Sequence, residues 1–306
     1  MAQAQFSGVL VPAITPFKAD YSVDSVLFNK VCHWLMAQGA NGLAVFGTTS
    51  EANSLTMGER QSLLEGLVAS GIDPHVLLPG TGMCSLMDTV EMTRHAVKLG
   101  CGGVLMLPPF YYKPVSEDGL FAYYSEVIER VGSADLGLWL YHIPQIAGVG
   151  VPHDVIERLI KRYPKTVLGI KDSSGDWANT EAMLNRFKGG FGIFPSSEGV
   201  LVKAMRLGAV GCITASGNIN AAGIRHLVDH WQEANADALQ KPVAMVRDLF
   251  SKFPLIPAAK AFLSKELGQS GLATLRPPLM ALTDQQSHDL IASLKAAGHA
   301  FKAASF

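Results

Sequence analysis

The sequence predicts a (β/α)8 TIM barrel with a C-terminal helical extension. Three observations point there. Short, continuously apolar runs alternate with amphipathic stretches, as in a parallel sheet covered on both faces. Eight such units fill about 225 residues, the scale of one closed barrel. The first run, Val9-Leu10-Val11-Pro12-Ala13-Ile14-Thr15-Pro16, is not followed by the GxGxxG turn that usually announces an open doubly wound sheet.

The predicted strands are, in order, Gly8–Phe17, Gly42–Gly47, His75–Gly82, Gly103–Pro109, Leu136–Pro144, Thr166–Ser173, Phe191–Ser196 and Ala209–Ala215. Leu27, Val31 and Leu35 recur every four residues, which lines one face of a helix and cannot line one face of a strand. Further helices are expected from about Met57 to Ala69, Ser85 to Leu99, Glu117 to Arg130, Pro152 to Lys161, Trp177 to Phe187 and Gly199 to Leu207. Thr56 before Met57 and Ser116 before Glu117-Asp118 are helix-starting caps, because a hydroxyl can accept from the free N–H groups of a first turn. Strand signals stop near Gly223. His226–Ala234, Ala238–Lys252, Ile256–Leu267 and Asp284–Ala297 read as helices. The expected division is a catalytic barrel over residues 1–222 and a helical region over 223–306 packed on it. No linker separates them, so a shared core is expected.

The chain of 306 residues is 48% hydrophobic and 17% charged, which implies a large core and a substantial interface between copies. Lys+Arg 25 against Asp+Glu 26 gives a formal charge of −1, so neither a nucleic-acid stripe nor an acidic tail is present and a small molecule is the expected partner. Met1 to Phe6 does not read as a secretory signal, and no apolar run reaches membrane-spanning length. Cys32, Cys84, Cys101 and Cys212 form no CxxC pair, which fits a reducing cytoplasm. The nine histidines show no ligand spacing, so no metal is expected.

Barrel chemistry collects at the C-terminal tips of strands, where the βα loops converge. The tips here are Thr15-Pro16-Phe17, Gly47-Thr48-Thr49-Ser50-Glu51, Gly80-Thr81-Gly82, Pro108-Pro109-Phe110-Tyr111-Tyr112, Tyr141-His142-Ile143-Pro144, Lys171, Ser196-Ser197-Glu198 and Thr214-Ala215-Ser216-Gly217-Asn218. The set is rich in hydroxyls and holds one amine, without a carboxylate pair or a Ser-His-Asp arrangement. Lys171 ends the apolar run Val167-Leu168-Gly169-Ile170, and a dry strand end favours a neutral, nucleophilic amine because ammonium is costly to desolvate. Taken singly, each has a plainer reading. Lys171 could snorkel or pair with Asp172, Gly47-Thr48-Thr49 could be a capped turn, Tyr141 could be packing, and Tyr111 and Tyr112 could line an interface. His142 faces the other side of its strand and reads as structural. Together they describe one reaction: an amine attacks a 2-keto acid, a hydroxyl and N–H pocket grips its carboxylate, and a tyrosine moves protons.

In the order and identity of these motifs the chain resembles the dihydrodipicolinate synthase / N-acetylneuraminate lyase family of class I aldolases. The resemblance runs from Gly8–Phe17 through Gly47–Glu51, Gly80-Thr81-Gly82, Pro109–Tyr112, Tyr141–Pro144 and Gly169-Ile170-Lys171-Asp172 to Leu275-Arg276-Pro277-Pro278-Leu279. It implies that Lys171 is the Schiff-base lysine and Tyr141 the proton relay. It implies further that Thr48 and Tyr111 complete a hydroxyl relay, Tyr111 reaching in from a neighbouring subunit. By the same resemblance Thr48 and Thr49 grip the pyruvate carboxylate and Ile213 lies beside the imine. A homotetramer built as a dimer of dimers follows, with no metal or organic cofactor. The family pattern has Gly where Ser50 stands and Asn where His142 stands. Dihydrodipicolinate synthases carry an arginine where this chain has Ile146, and that arginine handles the carboxylate of aspartate semialdehyde. Ser173, Ser196 and Glu198 match acceptor-side positions of the neuraminate lyases, whose next acidic residue is Gly199 here.

The expected function is therefore a pyruvate-dependent class I lyase that reversibly cleaves a 2-keto-3-deoxy-type acid to pyruvate and an aldehyde. Dihydrodipicolinate synthase itself is the alternative enzyme. A non-catalytic keto-acid binding protein is the alternative of another class.

Overall fold

The computed structural model describes residues 6–195, 197–301 and 306. Seven parallel strands form two arcs: Gly42–Leu43, Gly8–Val11 and Gly211–Ile213 in one, Val104–Met106, Leu138–His142, Val167–Asp172 and Gly192–Phe194 in the other. Two seams close them into a barrel. Residues 77–80 bridge one seam, Leu77 pairing with Leu43 and Gly80 with Leu105, both parallel. At the other, the Val210 N–H donates to the Ile193 carbonyl at 3.1 Å. The expected third strand, His75–Gly82, is thus reduced to bridges. Pro74–Val76 turns as a 3-10 helix capped by Asp73, and Pro79 has no N–H to give a ladder.

Strand residues alternate between two apolar layers, as a period of two requires. Leu10, Leu105, Trp139, Tyr141, Phe194 and Ile213 fill the barrel interior. Val9, Val11, Leu138, Leu140 and Ile170 face outward into the larger core shared with the helices. Trp139 is the plug of the interior. A Cβ at Gly169 would lie 2.3 Å from its ring and one at Gly192 2.5 Å, so only glycine on the next two strands of the arc leaves room for the indole. Tyr141 pairs in register with Lys171 and Trp139 with Gly169, so the indole layer lies directly beneath the tyrosine and lysine.

The helices start where the caps predicted. Thr56 accepts from the Glu59 N–H at 3.1 Å while Glu59 reaches back to the Thr56 N–H, a full capping box for Met57–Ala69. Ser116 caps Glu117–Val131 through the Gly119 N–H. The stretch expected as one helix from Gly199 is a 3-10 turn, Glu198–Val200, followed by Leu201–Arg206. A four-residue helix, Pro144–Ala147, follows the fourth strand with Pro at its start.

The helix expected from His226 begins much earlier, at Gly217, and runs to Asp229 with a kink at Asn220. The expected boundary at residue 222 falls inside it. Gly217-Asn218 resembles a turn in sequence, but Gly217 lies against Val11, and Asn218 is buried. The Asn218 Nδ2 donates to the carbonyls of Pro12 and Ala215, and its Oδ1 accepts from the Ile14 N–H. One amide thereby ties the last stave to the first. The helices Ala236–Phe250, Leu255–Glu266 and Asp284–Ala296 contribute Phe250, Leu263 and Leu294 to the same core that holds Val9 and Leu35. The four cysteines are free, and all but Cys84 are buried. Among the described residues, no helix is long and apolar enough to cross a membrane.

Candidate active site

A cavity of about 490 Å³ opens at the C-terminal tips of the strands. Of the residues expected there, Thr48, Thr49, Tyr141, Lys171, Ser173 and Ile213 line it. Lys171 is 6% exposed and Tyr141 3%, so little water separates them. The Lys171 Nζ donates to the Tyr141 Oη at 3.3 Å and lies 4.4 Å from the centre of its ring. The Tyr141 Oη in turn shares a hydrogen bond of 3.2 Å with the Thr48 Oγ1. Amine, phenol and alcohol therefore form one continuous chain of exchangeable protons.

The turn that carries Thr48 is held from several sides. Glu51 takes a left-handed backbone, φ 56°, and its N–H closes the turn on the Thr48 carbonyl at 3.0 Å. Ser50, where the resembling family has glycine, donates its hydroxyl to the Ala13 carbonyl at 2.6 Å and accepts at its own carbonyl from Thr15. The serine thus ties the turn to the first strand. Beneath it, Lys260 forms a fully buried ion pair with Glu51 and donates to the Thr274 carbonyl at 2.6 Å. Burial pulls the Lys260 ammonium down to about 8 against the attraction of Glu51, and pushes the Glu51 carboxyl up.

His142 takes no part in the proton chain. Its Nδ1 accepts from the Val151 N–H at 2.9 Å, which requires that nitrogen to be unprotonated. Burial pulls the imidazole below its ordinary value, with Asp172 opposing. Asp172, beside Lys171 in sequence, is spent elsewhere: its carboxylate accepts from Ser174, Asn179 and Thr180. The plain pairing of Lys171 with Asp172 is not what the structure holds.

Three expected residues stand apart. Tyr111 is 75% exposed and packs edge-on against Tyr112, away from its own chain's cavity. Ser196 lies outside the described residues. Glu198 does not touch the cavity, which corrects its expected contact with substrate. Its carboxylate is fully buried behind the wall, accepting from the hydroxyls of Thr214 and Ser216. The resemblance directs this loop glutamate toward substrate; only the fold reveals the two hydroxyls beneath it.

A sequence profile of the dihydrodipicolinate synthetase family matches residues 5–297. The chain belongs to the dihydrodipicolinate synthetase family. It is a lyase of that family, as its relatives are named. An uncharacterized DapA-like lyase of Chloroflexus aurantiacus is 32% identical over 298 residues, 96% of each chain. A 4-hydroxy-tetrahydrodipicolinate synthase of Desulforamulus reducens is 27% identical over 94% of this chain and 95% of that one. Among solved structures, the dihydrodipicolinate synthase of Agrobacterium tumefaciens superimposes with a TM-score of 0.88 at 29% identity, over 95% of this chain and 99% of that one. YagE of E. coli, solved in complex with pyruvate, shares the fold at TM-score 0.88 and 24% identity, over 97% and 100% of the two chains.

For this dihydrodipicolinate synthetase family chain, the sequence left one charged residue of the cavity unmarked. Arg247, from the helix Ala236–Phe250, lines it alongside Thr214. Nothing in the sequence separates Arg247 from any solvated arginine on a helix face. Ile146, also on the lining, is an exposed aliphatic side chain where the synthases' arginine is expected.

Proposed function

We propose that this chain is a class I, pyruvate-dependent lyase working through an imine on Lys171, without a metal or organic cofactor, as a cytoplasmic homotetramer. The observation that carries this reading is the unbroken contact from Lys171 through Tyr141 to Thr48 above a dry indole floor. In the cleavage direction, the neutral Lys171 amine adds to the C2 carbonyl of a 2-keto acid and water leaves, giving a protonated C=N. Tyr141 gives a proton to the departing oxygen, leaving a phenolate that accepts from the Thr48 hydroxyl. The cationic imine withdraws electrons while the C4 hydroxyl passes its proton to that phenolate. The C3–C4 bond breaks, the aldehyde departs, and the bond's electron pair remains as an enamine. Protonation at C3 and addition of water release pyruvate and restore the amine. Thr48 and Thr49 hold the carboxylate during these steps, with Ile213 beside the imine and Ser173 facing the departing half.

Tyr111 and Tyr112 are both about three-quarters exposed, at 75% and 77%. Such large aromatic surface suits coverage by a second copy, and we assign Tyr111 to the relay of that neighbour. The test of the imine is borohydride reduction in the presence of pyruvate, read by mass spectrometry. An adduct on Lys171 that vanishes in Lys171→Ala is expected. An unmodified wild-type chain would sink the proposal.

A second reading, condensation of pyruvate with aspartate semialdehyde, is favoured by Arg247, a guanidinium available in place of the one missing at Ile146. Turnover of that pair faster than of simple aldehydes would support it.

A further inference from the structure

The acceptor end of the cavity has an uneven lining. Its walls are mainly aliphatic, Ile146, Leu255 and Met280 among them, and its neutral polar side chains are Gln145, Ser173 and Thr214. Apart from Lys171, the charged side chain on the lining is Arg247. With Thr48 and Thr49 assigned to the keto-acid carboxylate, this guanidinium has no role in the imine chemistry. Its side chain is 19% exposed, so it has left most of its hydration behind, and a cation so placed gains from an anion.

Arg247 is held rather than loose. Its Nη1 donates to the Thr214 Oγ1 at 3.2 Å. The Thr214 hydroxyl donates to Glu198 at 2.6 Å, so its oxygen is oriented to accept from the arginine. Glu198 also takes the Ser216 hydroxyl, and its Oε2 stays 3.9 Å from the Arg247 Nη1. The carboxylate therefore balances the charge from a distance without occupying the fork. Gln240, two helical turns before Arg247, fixes the same helix face. It donates to the Glu198 carbonyl at 2.7 Å and accepts from the Val202 N–H at 3.0 Å. Among the described residues, the Thr214 contact is the one hydrogen bond that the Arg247 guanidinium makes.

We infer that Arg247 is a specificity-determining residue that binds a carboxylate at the far end of the acceptor, so that the substrate is a 2-keto acid with a second carboxylate joined by an apolar spacer. The inference rests on the imine reading above and names the substrate class for that site. Guanidinium and carboxylate match as a planar two-bond pair, which a polyol does not, and the aliphatic walls suit the spacer. Glu198 and Thr214 act as positioning residues behind it.

The test is aldol addition of pyruvate to two aldehydes of equal length, succinic semialdehyde and butanal, followed by pyruvate consumption. The wild type should favour the charged aldehyde by about 30-fold or more in kcat/KM. Arg247→Met should erase that ratio mainly through KM for succinic semialdehyde, and Arg247→Lys should keep part of it. No preference in the wild type overturns the inference. So does an equal loss on both aldehydes in Arg247→Met, the outcome expected if the arginine only neutralises Glu198. Borohydride trapping on the wild type separates the two claims. A chain that traps pyruvate without preferring the charged aldehyde loses this inference alone, whereas one that never traps pyruvate loses the imine reading itself.

Discussion

The two ends of the cavity are built in different ways. At the imine end, Lys171 and Tyr141 stand nearly water-free on the tips of two paired strands, and the turn after Gly42–Leu43 brings Thr48 into hydrogen-bonded series with them. At the acceptor end, Ile146 is 66% exposed and Met280 75%, and the lining comes from loops and from the helical region, including Arg247 and residues 254–257 and 278–280. Reacting groups need fixed mutual geometry, and paired strands supply it. Discrimination between acceptors needs a surface that can differ among relatives without disturbing the chemistry, and loops supply that.

Substitutions at the two ends should therefore fail in different ways. Lys171→Ala removes the proposed nucleophile, and turnover should fall by about 10⁴-fold or more, with no trapped adduct. Tyr141→Phe keeps the ring but deletes the proton carrier, so kcat should fall by about 10²-fold to 10³-fold with KM for pyruvate little changed. A fall confined to KM would reassign the tyrosine to binding. Arg247→Met should sit at the opposite pole, altering the choice of aldehyde.

Beneath the imine end, Lys260→Met leaves Glu51 buried without a cation. Urea denaturation should show a loss of about 3–5 kcal/mol, partly recovered when Glu51→Gln is added. The smallest effect belongs to the acceptor end. Arg276 donates to Glu59 at 2.8 Å and to the carbonyls of Tyr21 and Ser54, and so anchors the segment that leads to Pro278–Met280. The Arg276 hydrogen bond lowers the Glu59 carboxyl below its ordinary 4.5. A carboxyl lowered on folding stabilises the fold above its unfolded value and loses that contribution as pH falls through its folded one. Glu59→Gln should therefore cost about 0.5–1 kcal/mol at pH 7, and the difference from wild type should close below pH 4.5. A gap that persists in acid would show that the side chain stabilises by packing.

The same contrast decides what could be read from the sequence. The place of Lys171 on the cavity lining was legible because it ends an apolar run among hydroxyl-rich strand tips, and Thr56 and Ser116 because caps are local chemistry. The third stave was not, since Pro74 and Pro79 break its ladder and its closure depends on Leu43 and Leu105, far away in the chain. The start of the helix at Gly217 was hidden because its reason lies just past the first strand, in the contacts of the Asn218 amide with Pro12 and Ile14. Arg247 and Glu198 illustrate the limit from both sides: one charge looked solvated and lines the cavity, the other looked available and is walled in. Local signals mark where bonds can form; which charges face a ligand is a property of the assembled fold.

The helix carrying Arg247 and the strap around Met280 are among the later parts of the chain to emerge from a ribosome, long after Lys171. The cavity around Lys171 is therefore complete only when the helix carrying Arg247 and residues 278–280 have packed against the barrel.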